Sequence, residues 1–323
     1  MLWKWPVNLV SRKLNPRVEK LNVKEHYNES LPSKTTIVDV FRFFNEFRIL
    51  ELRLEVLWDI VDYFVITESP LTHSGKPKQM NFYENRYKFR KYQSKIIYNP
   101  LPSIPEDFSH LVGKRSYRLN FGDIDPNSKK RYIQNPISYQ REAYERDMQI
   151  LGLEKLEHSL GRDSVILVSD LDEIPNPAIL VNTSWIDHTK TYVCEQKAYL
   201  YKLNLLYYDE WLGTNIFRMS HLQDSKKGLH QIHADAKKGT RVAAAGWHFS
   251  WMGDDKHFRE KLAAQPESEH FDTEERRQMS REIISNRLDP FGRPLRLKKV
   301  PLDNTFPFYL SANIKQFEDL IEK

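Results

Sequence analysis

The segment from Thr36 to Ser69 reads TIVDVFRFFNEFRILELRLEVLWDIVDYFVITES. Its start, Thr36–Phe41, predicts a short buried strand, and the apolar residues of Phe47–Trp58 recur at helical spacing. A second apolar run, Tyr63–Thr67, predicts another strand, which ends at Glu68. A strand, a helix and a strand within about 30 residues form a βαβ unit. The segment therefore predicts parallel strands with ligand chemistry at their carboxyl ends.

Further strands and helices are predicted downstream. In chain order they are a strand at 95–98, a helix at 138–151, a fully buried strand at 163–169, strands near 191–208 and 215–220, a helix near 256–264 and a final helix in the tail 307–323. Residues 106–135 have little periodicity and are interpreted as an insertion. The pattern predicts an α/β fold with a central, mostly parallel sheet flanked by helices.

The composition is that of a globular protein, because 40% of the 323 residues are hydrophobic and 29% are charged. Cys194 is the only cysteine, which excludes a disulfide framework and a cysteine-based zinc cluster and favours a reducing compartment. The net charge is +5, but residues 1–20 hold five basic residues and one acidic residue, so the rest is nearly neutral. Nucleic-acid binding needs a concentrated basic patch, and we therefore expect no nucleic-acid partner.

Residues 1–34 are predicted to form a basic arm and linker, and residues 35–323 a single domain. The arm mixes tryptophan and leucine with lysine and arginine. This pattern is typical of an interfacial membrane anchor and equally of a terminal arm that packs on its own domain. No apolar run approaches the ~20 residues of a bilayer span, and no secretory signal is visible. We expect a cytoplasmic protein whose membrane contact, if it has one, is peripheral and made by residues 1–20.

Asp170 and Asp172 follow directly after the predicted strand 163–169. Two carboxylates at the mouth of a parallel sheet, before a sharp turn at Pro175, are unsuited to core packing. Hard oxygen ligands in this position favour Mg²⁺ or Mn²⁺, which keep open positions for phosphate oxygens. The alternative is a solvated loop in which Glu173 adds a third exposed charge.

Two classes of enzyme use a strand followed by Asp-x-Asp. In haloacid-dehalogenase-type phosphatases the first carboxylate, here Asp170, is a nucleophile, and Gly253-Asp254-Asp255 superficially fits the later metal-ligand motif. In metal-dependent sugar-nucleotide transferases the pair holds a metal on the donor diphosphate. A whole βαβ unit precedes the motif here, which favours the transferase. A non-catalytic glycan-binding module is a further alternative.

Six segments occur in a characteristic order: Asp39–Glu46, Leu50–Leu54, Asp62–Ser69, Gly75–Pro77, Ser169–Pro175 and Ala245–Trp251. Together they resemble glycosyltransferase family 17, which includes the β-1,4-mannosyl-glycoprotein 4-β-N-acetylglucosaminyltransferases. The resemblance implies a GT-A-like fold and an inverting sugar transfer. It implies N-acetylglucosamine from UDP-GlcNAc as the donor sugar, with Mn²⁺ or Mg²⁺ as a cofactor.

The resemblance matches Asp170 and Asp172 to the pair that anchors the metal and the diphosphate. We assign the metal mainly to Asp172, with Asp170 contacting the metal or the ribose. His248 is the candidate for an additional ligand, because a neutral imidazole binds Mn²⁺. The alternative is a hydrogen-bonded histidine packed beside Trp247 and Trp251.

The acceptor hydroxyl requires a base, for which a carboxylate is suited. Asp255 is the first candidate and Asp254 the next, because both follow the Trp-His segment. Glu68 and Glu210 compete with them. Each of these two has a structural explanation, since Glu68 is suited to orient residues of the donor loop and Glu210 lies in a predicted solvated turn.

Cations for the diphosphate are expected from Lys76 and Lys78 on a glycine-containing loop, or from Arg141 and Arg146 on the helix before the metal strand. At least two of these four are expected to be solvated surface charges. Tryptophans such as Trp211 offer flat faces to an acceptor sugar. The chain lacks the transmembrane anchor of the animal enzymes, so we expect a microbial glycan or a lipid-linked saccharide as acceptor.

Overall fold

The computed structural model describes residues 20–21, 35–106, 108 and 136–323, and within them eleven strands form one sheet. The strands are β1 (Lys20–Leu21), β2 (Ile37–Arg42), β3 (Tyr63–Glu68), β4 (Ile96–Pro100), β5 (Val165–Asp170), β6 (Glu173–Pro175), β7 (Tyr192–Leu200), β8 (Leu205–Arg218), β9 (Thr240–Val242), β10 (Gly246–Ser250) and β11 (Lys298–Lys299). The described helices are α1 (Phe47–Leu57), α2 (Asn81–Asn85), α3 (Ile137–Met148), α4 (Ile150–Glu154), α5 (Met219–Asp224), α6 (Leu229–Ala236), α7 (Asp255–Ala264), α8 (Ser268–Phe271), α9 (Glu274–Gln278), α10 (Ser280–Ser285) and α11 (Phe308–Ala312).

The sheet has two parallel parts, one of β2, β3, β4 and β5 and one of β1, β9, β7 and β10. β2 lies between β3 and β5, parallel to both, with Val40 opposite Val65 on one side and Val168 on the other. β4 extends this part beside β3, and β8 runs antiparallel to β5 and β7. From one edge to the other, the hydrogen-bonded order of the strands is β1-β9-β7-β8-β5-β2-β3-β4. In addition, β10 pairs with β6 and β7, and β11 pairs with β8. The predicted α/β fold with a mostly parallel sheet is confirmed, and the carboxyl ends of β2, β3 and β5 lie side by side.

The apolar side chains of β2 pack on both faces of the sheet. Phe41 belongs to a core cluster that contains Leu54 of α1. Val38 and Val40 point to the other face, into a cluster that contains Leu153 of α4. A strand covered on both faces reads as a nearly continuous apolar run, which explains why the sequence of β2 shows little alternation.

Most predicted elements are confirmed, and four expectations need correction. The strand expected near 215–220 is present as the last part of β8 but ends at Arg218, where the N–H of Met219 donates to the carbonyl of Ser164 at 2.8 Å as α5 begins, and the strand expected near 191–208 is divided between β7 and β8. The helix predicted over 138–151 is divided at Gln149 into α3 and α4. The tail forms α11 and a 3₁₀ segment, Ile314–Leu320, rather than one helix.

The arm predicted at residues 1–34 lies outside the described residues except for Lys20–Leu21, which pairs in parallel with β9. Most of the predicted insertion at 106–135 also lies outside them. The division into an arm and a single domain stays a prediction. Among the described helices, none combines the length and the apolar character that crossing a bilayer requires.

Candidate active site

The Asp-x-Asp turn lies between β5 and β6 and is fixed by a buried arginine of α1. Asp170 is the last residue of β5, and Leu171 and Asp172 form the turn before β6. Nη1 of Arg53 donates to three carbonyls of this turn, those of Asp170, Leu171 and Glu173, at 3.0, 2.9 and 2.9 Å. Because one guanidinium satisfies several backbone acceptors, the turn has a defined shape before any ligand binds.

Arg53 also joins the turn to the centre of the sheet. It pairs with Asp39 of β2 and donates through Nη2 to Oγ of Ser169 at 2.6 Å. Neither Arg53 nor Asp39 has exposed side-chain surface. A buried charge requires a full set of partners, and the carboxylate and the carbonyls supply that set here.

His248 meets Asp172 because β10 runs antiparallel to β6. The register places His248 opposite Glu173, and the N–H of Phe249 donates to the carbonyl of Asp172 at 2.8 Å. Nε2 of His248 lies 3.4 Å from Oδ1 of Asp172. Burial lowers the pKa of His248, but Asp172 and Glu173 raise it more, and the net direction is upward. The structure thus brings together two residues that the sequence predicts as metal ligands.

The second oxygen of Asp172 faces Lys261 of α7. Nζ of Lys261 lies 3.1 Å from Oδ2 of Asp172 and 3.4 Å from Oε1 of Glu46. Burial raises the pKa of Asp172, but Lys261 and His248 lower it further, so that the pKa lies well below its usual range. The Asp172 side chain is only 9% exposed. It is therefore not part of a solvated loop.

Asp170 faces a different pair of cations. Its Oδ1 accepts from Nη2 of Arg42 at 2.6 Å and from Nη2 of Arg146 at 3.0 Å, and its side chain is 40% exposed. Although the surroundings of Asp170 raise its pKa by desolvation, Arg146 and Arg42 lower it more, and the carboxylate is ionised. Glu142 lies 3.3 Å from both arginines and has a pKa lowered to about 2, because the arginines outweigh its burial. The carboxyl ends of β2 and β5 thus carry a charged cluster.

Glu173 is buried, which corrects the expectation of a third exposed charge. Its Oε1 accepts from Nε1 of Trp211 at 2.9 Å, and its Oε2 accepts from the N–H of Asp170 at 3.2 Å. Burial and the neighbouring Asp170 raise the pKa of Glu173. The ring of Trp211 lies 4.5 Å from that of His248. Glu173 and Trp211 therefore support the Asp-x-Asp turn and the histidine from one side.

Trp247 and Trp251, the two tryptophans on either side of His248 in the sequence, belong to the core. Nε1 of Trp247 donates to the carbonyl of Thr305 at 2.8 Å, and the Trp251 ring packs 5.1 Å from that of Phe258. Both side chains are buried. An acceptor sugar therefore has no access to the faces of Trp247 and Trp251.

Of the four predicted diphosphate cations, Arg146 is the one that contacts Asp170. Lys76 is exposed and pairs with Asp272 at 3.4 Å, whereas Nη1 of Arg141 donates to the carbonyl of His73 at 3.2 Å. Lys78 is largely buried, 4.0 Å from Glu68, and burial lowers its pKa. One of the four, rather than two, is a solvated surface charge.

The predicted bases have different surroundings. Glu68 accepts from the N–H groups of Phe82 and Tyr83 at 2.8 and 3.3 Å and so caps α2. Asp254 is the N-cap of α7 and accepts from the N–H of His257 at 3.0 Å.

Asp255, the first candidate, pairs with Arg259 at 2.5 Å and Arg281 at 3.3 Å on a groove that α9 and α10 line. Among the described residues, none of its contacts connects it to Asp170 or Asp172. Glu210 is exposed on β8, and its neighbour in sequence, Trp211, contacts the turn. Glu68, Asp254 and Asp255 have partners that lie away from the turn.

Asp172 and His248 could supply one oxygen and one nitrogen donor to a divalent cation. In the ranges that the structure describes, no group of three or more His, Cys, Asp or Glu side chains is close enough to enclose a metal. Two protein ligands still suit Mg²⁺ or Mn²⁺ that completes its coordination with phosphate and water oxygens. Nδ1 of His248 is buried and has no hydrogen-bond partner among the described residues. The residues fit a cation that binds together with a diphosphate.

Three residues that contact the Asp-x-Asp turn are not predicted as site residues from the sequence. Arg42 ends β2 at the edge where ligand chemistry is expected, so its position alone was a usable signal. Arg53 lies within an amphipathic helix, and Lys261 lies 89 residues after Asp172. For these two, only the tertiary structure reveals the contact.

The family model described as glycosyltransferase family 17 matches residues 13–284, which is most of the chain. A search of the curated proteins gives no match. The matched region includes β2, the Asp-x-Asp turn, β10 and Lys261.

Proposed function

The chain belongs to glycosyltransferase family 17, as its motifs indicate, and we propose that it transfers N-acetylglucosamine from UDP-GlcNAc to a glycan hydroxyl with inversion. Family membership makes the protein a glycosyltransferase of the N-acetylglucosaminyltransferase type, with a nucleotide-sugar donor and a glycan acceptor. The identity of the donor, the inversion and the metal dependence are the content of the proposal.

The contact between Asp172 and His248 carries the proposal for the donor site. Their side chains meet at 3.4 Å at the edge where β5 ends, and Arg42 and Arg146 face the neighbouring Asp170. A nucleotide diphosphate needs both fixed cations and a place for a metal, and this edge offers both. We therefore place the diphosphate above the Asp-x-Asp turn.

Asp172 and His248 would hold Mn²⁺ or Mg²⁺, with Asp170 contacting the metal or the ribose. The cation, when bound, neutralises charge on the departing diphosphate. Arg42 and Arg146 keep Asp170 ionised. Arg42 would donate to the phosphate oxygens, and the buried Arg146 would act on them through its positive charge. Arg53 keeps the turn in place throughout, so that these groups need no reorganisation during the reaction.

Glu210 is our candidate for the base that takes the proton from the acceptor hydroxyl. It lies on β8 beside Trp211, whose indole bonds to Glu173 at the turn. Glu68, Asp254 and Asp255 bond to a helix end or to arginines. The choice of Glu210 rests on its exposure and its place on β8, and not on a free carboxylate. We expect Glu210→Gln to lower kcat at least 100-fold with little change in donor affinity, and a kcat within a few-fold of wild type would remove Glu210 from this role.

The donor site is tested by calorimetric titration of UDP-GlcNAc into wild type and Asp172→Ala, with and without Mn²⁺. UDP-glucose and UDP-galactose serve as comparators. The proposal expects Mn²⁺-dependent binding of UDP-GlcNAc that is lost in Asp172→Ala. Absence of binding of any UDP-sugar to the folded wild type would overturn it. The anomeric configuration of the product, read by NMR, decides whether the transfer inverts.

The two alternative functions are not supported. A phosphatase would use Asp170 as a nucleophile and further ligands at Asp254 and Asp255, but those two residues cap α7 and pair with arginines. A silent glycan-binding module is at variance with membership of a glycosyltransferase family.

For the N-terminal arm we propose a peripheral membrane contact by a cytoplasmic enzyme that acts on a microbial glycan or a lipid-linked saccharide. This proposal rests on the tryptophan and basic residues of positions 1–20. Deletion of residues 1–20 is expected to release the protein from anionic vesicles and to leave turnover of a soluble acceptor unchanged. Unchanged vesicle binding would exclude the anchor.

A further inference from the structure

We propose that Lys261 is a built-in cation that occupies Asp172 when the donor site is empty and moves to Glu46 when a divalent cation and the donor bind. The inference rests on the proposed function, because it concerns the same carboxylate. It adds an exchange between a lysine of the chain and the metal. Lys261 thereby becomes a positioning residue of the site.

The geometry shows one ammonium group between two carboxylates. Nζ of Lys261 lies 3.1 Å from Oδ2 of Asp172 and 3.4 Å from Oε1 of Glu46. The Lys261 side chain is 22% exposed, and Nζ lies 5.8 Å above the ring of Trp251. A flexible four-carbon stem allows the ammonium to shift between the two acceptors without any movement of α7.

The charges explain why an exchange is needed. The carboxylates of Asp172 and Glu46 are close enough to share one cation, the ammonium group of Lys261. Without that cation, the largely buried Asp172 carboxylate would keep His248 as its one side-chain partner among the described residues. A divalent cation on Oδ1, the oxygen beside His248, and an ammonium group on Oδ2 would share one carboxylate, and like charges repel at that distance. Glu46 offers Lys261 a second position close by.

This arrangement has a consequence for metal binding. Lys261 must leave Asp172 before the metal can use both oxygens of that carboxylate, so it weakens the affinity for the free metal. The diphosphate brings negative charge that favours both the metal and the displaced ammonium. The enzyme is therefore expected to bind Mn²⁺ weakly alone and more tightly with the nucleotide.

The test measures Mn²⁺ binding alone, by electron paramagnetic resonance and calorimetry, in wild type, Lys261→Met and Glu46→Gln. We expect Lys261→Met to bind Mn²⁺ at least tenfold more tightly than wild type. We expect Glu46→Gln to bind it several-fold more weakly, because Lys261 then has Asp172 as its remaining carboxylate. The two changes in opposite directions separate an exchange from a general loss of structure.

Lys256→Met is the matched control for the loss of one positive charge. Lys256 lies on the same helix, is 73% exposed and pairs with Glu260 at 3.8 Å. Its substitution is expected to change the Mn²⁺ affinity less than twofold. Equal or weaker Mn²⁺ binding in folded Lys261→Met, or no measurable Mn²⁺ binding in any variant, would overturn the exchange.

A separate titration distinguishes failure of the exchange from failure of the proposed function. UDP-GlcNAc is titrated into wild type and Lys261→Met with and without Mn²⁺. If UDP-GlcNAc binds but the Mn²⁺ affinities are equal, the donor site stands and the exchange is wrong. If UDP-GlcNAc binds under neither condition, the donor site itself is wrong and the exchange with it.

Discussion

The guanidinium of Arg53 holds the carboxylate of Asp39 through two hydrogen bonds, Nε to Oδ2 at 2.8 Å and Nη2 to Oδ1 at 2.6 Å, with no exposed surface on either side chain. The pair joins α1 to the central strand β2. Because the third nitrogen of the same guanidinium reaches the Asp-x-Asp turn, one side chain connects the core to the site.

Substitution of Arg53 is expected to damage stability strongly. Arg53→Met leaves Asp39 as a buried charge without its partner and removes the donor of three carbonyls. The free energy of unfolding should therefore fall by about 3–5 kcal/mol. Urea denaturation measures the change. Arg48→Met on the same helix is the control, because Arg48 is 40% exposed and its loss should cost about 1 kcal/mol or less. Equal costs at the two positions would contradict the role given to Arg53.

Substitution of Gly246 tests the close approach of β10 to β6. A Cβ at Gly246 would lie 2.2 Å from the carbonyl oxygen of Ile174, and the φ of +147° is unfavourable for any other residue. Gly246→Ala is expected to destabilise the protein by about 2–4 kcal/mol and to weaken Mn²⁺ binding, because it displaces the strand that carries His248.

Gly161→Ala is the matched control for that substitution. A Cβ at Gly161 has nothing within 4 Å, so its unfolding free energy should stay within about 0.5 kcal/mol of wild type. Thermal and urea unfolding of both variants measure the two changes in the free energy of unfolding. If Gly246→Ala lowered the free energy of unfolding no more than Gly161→Ala does, β10 and β6 would have room to separate.

The βαβ unit and the Asp-x-Asp strand are predictable from the sequence because local patterns encode them. A short, largely apolar segment next to a helical repeat is sufficient to predict β2 and α1, and an apolar run that ends in acidic residues predicts β5. The edge at which the ligand chemistry occurs then follows from the parallel topology.

The partners of those residues are not predictable in the same way. Lys261 reaches Asp172 only after α7 has folded back over the turn, 89 residues along the chain. Glu68 has the position of a catalytic carboxylate at the end of β3, yet the packed start of α2 turns it into a helix cap. A carboxylate at a strand end is thus ambiguous until its neighbours in space are known.

Substitution of Arg146 tests the placement of the diphosphate. Nη2 of Arg146 bonds to Asp170 and Glu142, while its Nε and Nη1 are buried without a hydrogen-bond partner in the ranges described. Arg146→Met should weaken UDP-GlcNAc binding roughly 10- to 100-fold, since the positive charge that faces the phosphates beside Asp170 is lost. Arg146→Lys should give an intermediate affinity, because it keeps the charge but not the planar donors.

Calorimetry measures these affinities beside a surface control. Arg162→Met removes an arginine that is 59% exposed and paired with Asp224, and the UDP-GlcNAc affinity should stay within twofold of wild type. If Arg146→Met bound the donor as well as Arg162→Met does, the diphosphate would have to lie elsewhere.

His230 of α6 is expected to make the protein less stable in mild acid. Burial and the nearby Arg146 lower its pKa from 6.5 to about 4. The unfolded chain therefore takes up the proton at a higher pH than the folded one, and stability is lost as the pH falls from about 6.5 towards 4. Between pH 7 and pH 5 this residue should account for on the order of 1–2 kcal/mol of that loss.

Urea unfolding at the two pH values should show a smaller drop in the free energy of unfolding for His230→Gln than for wild type. His158→Gln, at a site 95% exposed, should retain the full drop. Equal drops in all three proteins would mean that other groups cause the acid sensitivity.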